Sequence, residues 1–212
     1  MMSRADLRRG IYFIADAGVT MRNRLAAVTE AALRGGIALV QLRAKYLPVE
    51  EVAELGRELL ELTRRFGVPL LINDLPEVAV QIGADGAHVG QEDVSVAEAR
   101  RLLGREAIIG ATTDTAEQVE RAQAEGADYI ALGALFPSPT KPDAELMPPQ
   151  TLAELAALAS VPVCVIGGIN ESNIGELAAL RPDLVCVISA IALADDPEAV
   201  ARRLGRAMAR WA

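Results

Sequence analysis

The chain has 212 residues, 51% hydrophobic and 24% charged, which supports a substantial core and argues against disorder. Its formal net charge of −8 works against general affinity for nucleic acid or an anionic membrane, although cations focused in one cleft leave anionic substrates open. No run of about 18 apolar residues occurs, and the opening segment Met1–Asp6 has no apolar signal core, so a soluble, cytoplasmic protein is expected.

Eight short apolar or β-branched runs read as strands: Ile11–Asp16, Ala38–Ala44, Pro69–Asp74, Gly86–Gly90, Ile108–Thr112, Tyr129–Phe136, Val161–Ile169 and Leu184–Ala190. Amphipathic stretches rich in Ala, Leu, Glu and Arg lie between them. In Pro48–Phe66, Val49, Val52, Leu55, Leu59 and Leu62 recur at helical spacing, with Pro48 suited to the first turn and Gly67 to a left-handed cap. The last such stretch, Asp196–Trp211, carries Arg202, Arg203, Arg206 and Arg210 on its solvated side. Strands separated by helices must run parallel and be buried on both faces. Eight units without a linker therefore predict a single-domain α/β fold, a closed (β/α)8 TIM barrel of eight parallel strands spanning residues 1–212. The turn after the first strand, Asp16-Ala17-Gly18-Val19-Thr20, does not fit the dinucleotide-binding Gly-x-Gly-x-x-Gly of an open sheet.

Chemistry in such barrels sits at the C-terminal ends of the strands. In the second strand, Gln41, Arg43 and Lys45 alternate and share the inner face, while Leu42 and Ala44 point to the helices. Two cations there need an anion, either a ligand or internal ion pairs to acidic strand ends. Asp74 and Asp93 end the third and fourth strands, and hard carboxylates beside cations suit Mg²⁺ shared with a phosphorylated substrate. Each has a plainer alternative: Asp93 as the N-cap of a helix over Val94–Leu103, Asp74 as a turn residue. After the sixth strand, Ser138, Thr140 and Lys141 form an anion cradle stiffened by Pro137, Pro139 and Pro142. Gly167, Gly168 and Ser189 mark a phosphate site after strands seven and eight. Cys164 and Cys186 lie in apolar runs and read as buried, inert thiols. The sole histidine, His88, excludes most catalytic zinc sites.

The ordered set Gln41-Leu42-Arg43-Ala44-Lys45, Ile72-Asn73-Asp74, Gly83–Asp93, Pro137–Lys141, Ile166–Ile169 and Ile188–Ile191 resembles the thiamine phosphate synthase family, and the likeness covers nearly the whole chain. It implies an enzyme that couples a hydroxymethylpyrimidine diphosphate to a thiazole phosphate, or its carboxylated form, releasing pyrophosphate. By position, it implies that Gln41, Arg43, Lys45 and Asn73 bind the pyrimidine diphosphate, with Leu42 and Ala44 in the same motif. Asp74 and Asp93 would hold Mg²⁺. Thr112 takes the place of a serine that assists the leaving group, and Lys141 contacts the same diphosphate. Ser138, Pro139, Thr140, Gly168, Ile188 and Ser189 would receive the thiazole phosphate, and Tyr12 and His88 match the pyrimidine pocket, with a satisfied structural histidine as the plainer alternative for His88. The site needs no general base, and barrels of this kind often pair, so a homodimer is compatible with it. The chain departs from the family pattern at Ala44 (often Glu), at Ser138 (usually Thr), at Asp114 (a His), and in 144–150, which lacks a usual Gly. The related thiazole tautomerase relies on that histidine and has no use for paired carboxylates. A non-catalytic phosphate-binding barrel would not need the intact Asp74, Asp93 and cationic strand.

Overall fold

The computed structural model describes residues 2, 7–138, 140 and 144–211. The strands are β1 (Gly10–Asp16), β2 (Leu39–Arg43), β3 (Leu70–Asn73), β4 (Gly86–Val89), β5 (Ile108–Thr112), β6 (Tyr129–Leu132), β7 (Val163–Val165) and β8 (Leu184–Val187). Each pairs in parallel with the next and β8 closes onto β1, so the expected barrel is the observed one. The helices are α1 (Arg22–Arg34), α2 (Val49–Phe66), α3 (Pro76–Ile82), α4 (Val96–Leu103), α5 (Ala116–Ala124), α6 (Pro149–Ala157), α7 (Ser189–Ala192) and α8 (Pro197–Ala209). The crossover after β7 is made by a 3₁₀ turn, Ile174–Ala179.

Three strands, β6, β7 and β8, stop three or four residues before the ends of their apolar runs. Beyond Leu132 and Val165 the chain meets Gly133, Gly167 and Gly168, all at positive φ, so the ladder stops although apolar residues continue. Beyond Val187 the chain turns into α7. In α2, Pro48 is the N-cap rather than a first-turn residue, and Val49 is exposed, whereas Gly67 takes the left-handed cap (φ 63). Arg202, Arg203, Arg206 and Arg210 are all exposed, as their helical phase requires.

Period-two alternation splits each strand between two cores. Val40, Leu42, Leu70, Ile72, Ile109, Ile130, Val163 and Val185 face the helices, and Tyr12, Ile14, Leu39, Leu71, Ile108, Tyr129, Cys164, Leu184 and Cys186 fill the barrel. Both cysteines are buried free thiols, and burial pushes Cys186 well above its ordinary range, which keeps it inert.

The floor of the barrel is stapled by a repeated device. Asp85, Asp128 and Asp183, each just before an even-numbered strand, accept the N–H of Leu70, Ile109 and Val163 at 2.9, 2.8 and 2.9 Å. Each carboxylate thus ties the start of one strand to the start of the next, and satisfies a backbone donor that the ladder leaves over. Among the described residues the opposite rim carries no such staples, and it holds Arg43, Lys45, Asp74 and Asp93.

Candidate active site

At the rim, β1 and β2 end side by side, with Asp16 in register with Arg43. The Asp16 Oδ2 accepts Arg43 Nη1 at 2.6 Å while its Oδ1 accepts the Gly18 N–H at 2.7 Å, so the turn that follows β1 fixes the carboxylate that aims the guanidinium. Lys45 Nζ lies 3.0 Å from Asp74 Oδ2. The cations therefore meet acidic strand ends, the second of the two possibilities open in the sequence. Asp16 is closed to solvent whereas Arg43 and Lys45 keep 22% and 44% of their side chains exposed, which leaves both cations a face for a ligand.

Asp74 takes a left-handed conformation (φ 63), which Asp tolerates better than most residues, and its N–H donates to the His88 carbonyl at 2.8 Å. Asp93 is not a helix cap: Ser95 caps α4, accepting the Glu98 N–H at 3.1 Å, and Asp93 Oδ2 instead accepts the Gly90 N–H at 2.7 Å. Nor does Asp74 cap α3, whose N-cap is Leu75. Burial first, and then the adjoining Asp74 carboxylate, push the Asp93 carboxyl up, against the pull of the Gly90 N–H and Lys45. Two carboxylates forced together beside an open rim have the donor chemistry of a hard divalent cation that takes its other ligands from substrate and water. Mg²⁺ fits them.

Below the rim the interior is polar along one line. Gln41 Nε2 donates to Tyr12 Oη, which lies 2.9 Å from Tyr129 Oη; that oxygen lies 2.9 Å from His88 Nδ1, and His88 Nε2 lies 2.9 Å from Thr112 Oγ1. The Tyr12 and Tyr129 rings meet edge to face, and Tyr129 stacks on the imidazole. Five residues named from the sequence have their places fixed here, and only Tyr12 and Gln41 lie deeper than expected. Tyr12 and Gln41 are sealed inside the barrel and do not open on the mouth, because their polar ends find partners in the interior. Leu42 is fully buried against the helices and Ala44 packs on the same layer, so neither side chain reaches the rim. His88 is satisfied through both ring nitrogens rather than presented as a free ligand.

Burial holds the His88 imidazole down at about 4, with the charge of Asp93 acting in the opposite sense. Between that value and the ordinary 6.5, the unfolded chain binds the proton that the folded chain refuses. Stability from this residue is thus complete above about pH 6.5 and is lost as pH falls towards 4, by at most about 3 kcal/mol. Thermal midpoints recorded across this range should show the decline in the parent protein and a flatter profile in His88→Gln.

On the far side of the mouth, Ser138 Oγ accepts the Thr140 N–H at 3.2 Å, and Thr140 Oγ1 is buried without a partner among the described residues. Pro139 and Lys141 lie outside the described residues. A Cβ on Gly168 would come within 2.5 Å of the carbonyl oxygens of Phe136 and Pro137, so this glycine lets the loop after β6 close over the end of β7. Ile188 borders the interior cluster and Ser189 opens α7. Asn73 ends β3 in register with His88. The departure at 144–150 is accommodated by an extended entry to α6, with Pro148 at φ −59, ψ 143, and by Met147 N–H donating to the Ala134 carbonyl at 2.8 Å. Asp114 donates its N–H to Gln118 Oε1 at 2.6 Å in the turn leading to α5.

Sequence reasoning missed Asp16, Tyr129 and Gly110. The signal for Asp16 was available in the Tyr12–Ile14–Asp16 alternation that puts it on the inner face. Tyr129 carries a hydroxyl into an apolar strand, and a buried phenol needs a partner. Gly110 stands between His88 and Tyr129 in the ladder, and any Cβ there would fall 2.0 Å from Tyr129 Cζ.

Acidic and cationic groups share one side of the barrel mouth while hydroxyls line the other, a furnishing that suits an enzyme acting on small molecules. The family profile described as Thiamine monophosphate synthase (TMP-TENI) matches residues 11–191, and the chain belongs to that family. It is 43% identical over 197 residues to the thiamine-phosphate synthase of Roseiflexus sp. (strain RS-1), covering 92% of this chain and 83% of that one. The thiamine-phosphate synthase of Thioalkalivibrio sulfidiphilus is 42% identical over 205 residues, 96% of this chain and 97% of the relative. A solved structure, thiamine phosphate pyrophosphorylase from Pyrococcus furiosus, superposes with a TM-score of 0.86 at 30% identity, covering 98% of both chains. The activity is that of a thiamine-phosphate synthase, a transferase of thiamine biosynthesis. Among the described residues no helix is long and apolar enough to cross a membrane.

Proposed function

We propose that the barrel mouth joins a hydroxymethylpyrimidine diphosphate to a thiazole phosphate by ionisation followed by capture. Arg43 and Lys45 receive the diphosphate, exchanging part of their contact with Asp16 and Asp74 for its oxygens. Asp74 and Asp93 hold Mg²⁺, which when bound supplies positive charge to the departing pyrophosphate. The carbon–oxygen bond of the pyrimidine methylene breaks with its electron pair leaving on pyrophosphate, and the ring amino group spreads the positive charge left on carbon. Arg43, Lys45 and the Thr112 hydroxyl stabilise the charge developing on the leaving group, with Lys141 assigned the same task by position. Asn73 faces the pyrimidine, with Gln41, its Oε1 buried and unpartnered, lying beneath in the barrel interior. Ser138, Thr140, Gly168, Ile188 and Ser189 hold the thiazole phosphate, so the thiazole nitrogen attacks the methylene as a tethered nucleophile. Its lone pair forms the new carbon–nitrogen bond and no proton has to be removed.

The observation that carries this reading is the pairing of Asp74 and Asp93 across from Arg43 and Lys45 on one rim. The test is direct. Purified protein supplied with both substrates and Mg²⁺ should yield thiamine phosphate and pyrophosphate, and EDTA should abolish turnover. Undiminished turnover in EDTA would remove the metal from the scheme. Ser189→Ala should raise KM for the thiazole phosphate about tenfold or more, the value of a hydrogen bond to a charged group, and leave KM for the pyrimidine unchanged. An unaltered thiazole KM would strike Ser189 from the phosphate site.

A further inference from the structure

The line from Gln41 to Thr112 has a direction. An amide nitrogen only donates, so Gln41 Nε2 gives a proton to Tyr12 Oη. Both phenols are buried and their ionisation is pushed well above the ordinary range, so each keeps one proton to place. Among the described residues, Tyr12 has only Tyr129 Oη on which to place its own, since Gln41 offers it a donor. Tyr129 must then donate to His88 Nδ1, and a neutral imidazole with an acceptor at Nδ1 carries its proton on Nε2. That N–H donates to Thr112 Oγ1. In the reverse order, Tyr12 would receive protons from both Gln41 and Tyr129 and its own would have no acceptor, at the cost of a buried hydrogen bond. The phenol and imidazole protons on the line are thus all placed, which leaves the Thr112 hydroxyl proton, at the solvent end, uncommitted.

We propose that Tyr129 is a positioning residue, which fixes His88 as its Nε2–H tautomer and thereby leaves the Thr112 hydroxyl proton free to face the departing pyrophosphate. The proposal rests on the role given to Thr112 above. Gly110 is part of the device: it sits between His88 and Tyr129 in the sheet, and its missing side chain is the space the phenol occupies.

Because His88 is the sole histidine, the tautomer can be read in the intact enzyme by long-range proton–nitrogen NMR of the imidazole. The expected spectrum shows a protonated Nε2 and a bare Nδ1 at neutral pH. Tyr129→Phe keeps the ring and removes the donor. It should convert His88 to the other tautomer or to a mixture, and lower kcat about tenfold with both KM values unchanged, as the loss of one buried hydrogen bond predicts. The fall should be absent when Tyr129→Phe is added to Thr112→Val, since the two act as one unit. A parent spectrum with protonated Nδ1 overturns the proposal, and this measurement decides the matter alone if Tyr129→Phe does not fold. So does a Tyr129→Phe enzyme whose tautomer changes while kcat stays at the parent value, provided Thr112→Val is slow. Parent-like turnover in Thr112→Val with the expected tautomer would instead overturn the leaving-group role of Thr112, and the Tyr129 claim upon rate with it, while leaving the tautomer assignment standing.

Discussion

Asp93→Asn and Asp74→Asn should each lower kcat by about a thousandfold, since a divalent cation at a leaving group contributes several kcal/mol to the transition state. Asn is the informative replacement because it retains shape and, at position 74, tolerates the left-handed backbone that would penalise Ala. Neither change should unfold the protein. Asp93 is held in a site where burial and Asp74 both oppose its charge, so neutralising it relieves repulsion in the metal-free enzyme. A thermal midpoint equal to or above that of the parent, together with a collapsed rate, is the expected pair of results. The rate should recover in part at high Mg²⁺ if the remaining carboxylate still holds the ion. Either variant turning over at close to the parent rate would show that its carboxylate holds no metal needed for catalysis.

Arg43→Met should be damaging twice over, and the two losses are separable. Asp16 is 2% exposed and its partner supplies a contact of 2.6 Å, so removing the guanidinium strands a buried carboxylate, a change that typically costs about 3–5 kcal/mol. The same substitution takes away a cation from the diphosphate and should reduce kcat/KM for the pyrimidine substrate by about a hundredfold or more. Adding Asp16→Asn removes the stranded charge, so the double variant should regain most of the lost stability in a denaturant titration. Its rate should stay low, because the cation is still missing. Restored rate together with restored stability would mean that Arg43 acts only by keeping the mouth folded.

Much of this was legible in the sequence, for definite reasons. A barrel strand is buried on both faces, so a charged residue within one stands out; Arg43 and Lys45 were visible on that ground alone. Asp74 and Asp93 were visible because they follow apolar runs at a position where such barrels keep their chemistry. The exits of β6, β7 and β8 were not legible. The residues after Leu132, Val165 and Val187 remain apolar because Leu135, Phe136, Ile166, Ile169, Ile188 and Ile191 still pack on the cores, and hydropathy does not separate that from membership of a ladder. Gln41 and Tyr12 were assigned to the right face but the wrong depth. Alternation gives the side of a strand, whereas depth depends on what faces it across the barrel, here Tyr129 from β6. The partners of Arg43 and Lys45 were foreseeable only as a choice between ligand and internal carboxylate, since the sequence does not reveal which acidic strand ends fall within reach.

The three aspartates under the barrel, at 85, 128 and 183, carry a consequence for how this molecule can change. They fasten successive strands at the end remote from the chemistry, so the architecture is anchored where no reactant ever comes. Loops at the reactive end can accordingly be lengthened, shortened or exchanged without loosening the foundations. A lineage built this way has latitude to revise what it recognises while its scaffold stays the same.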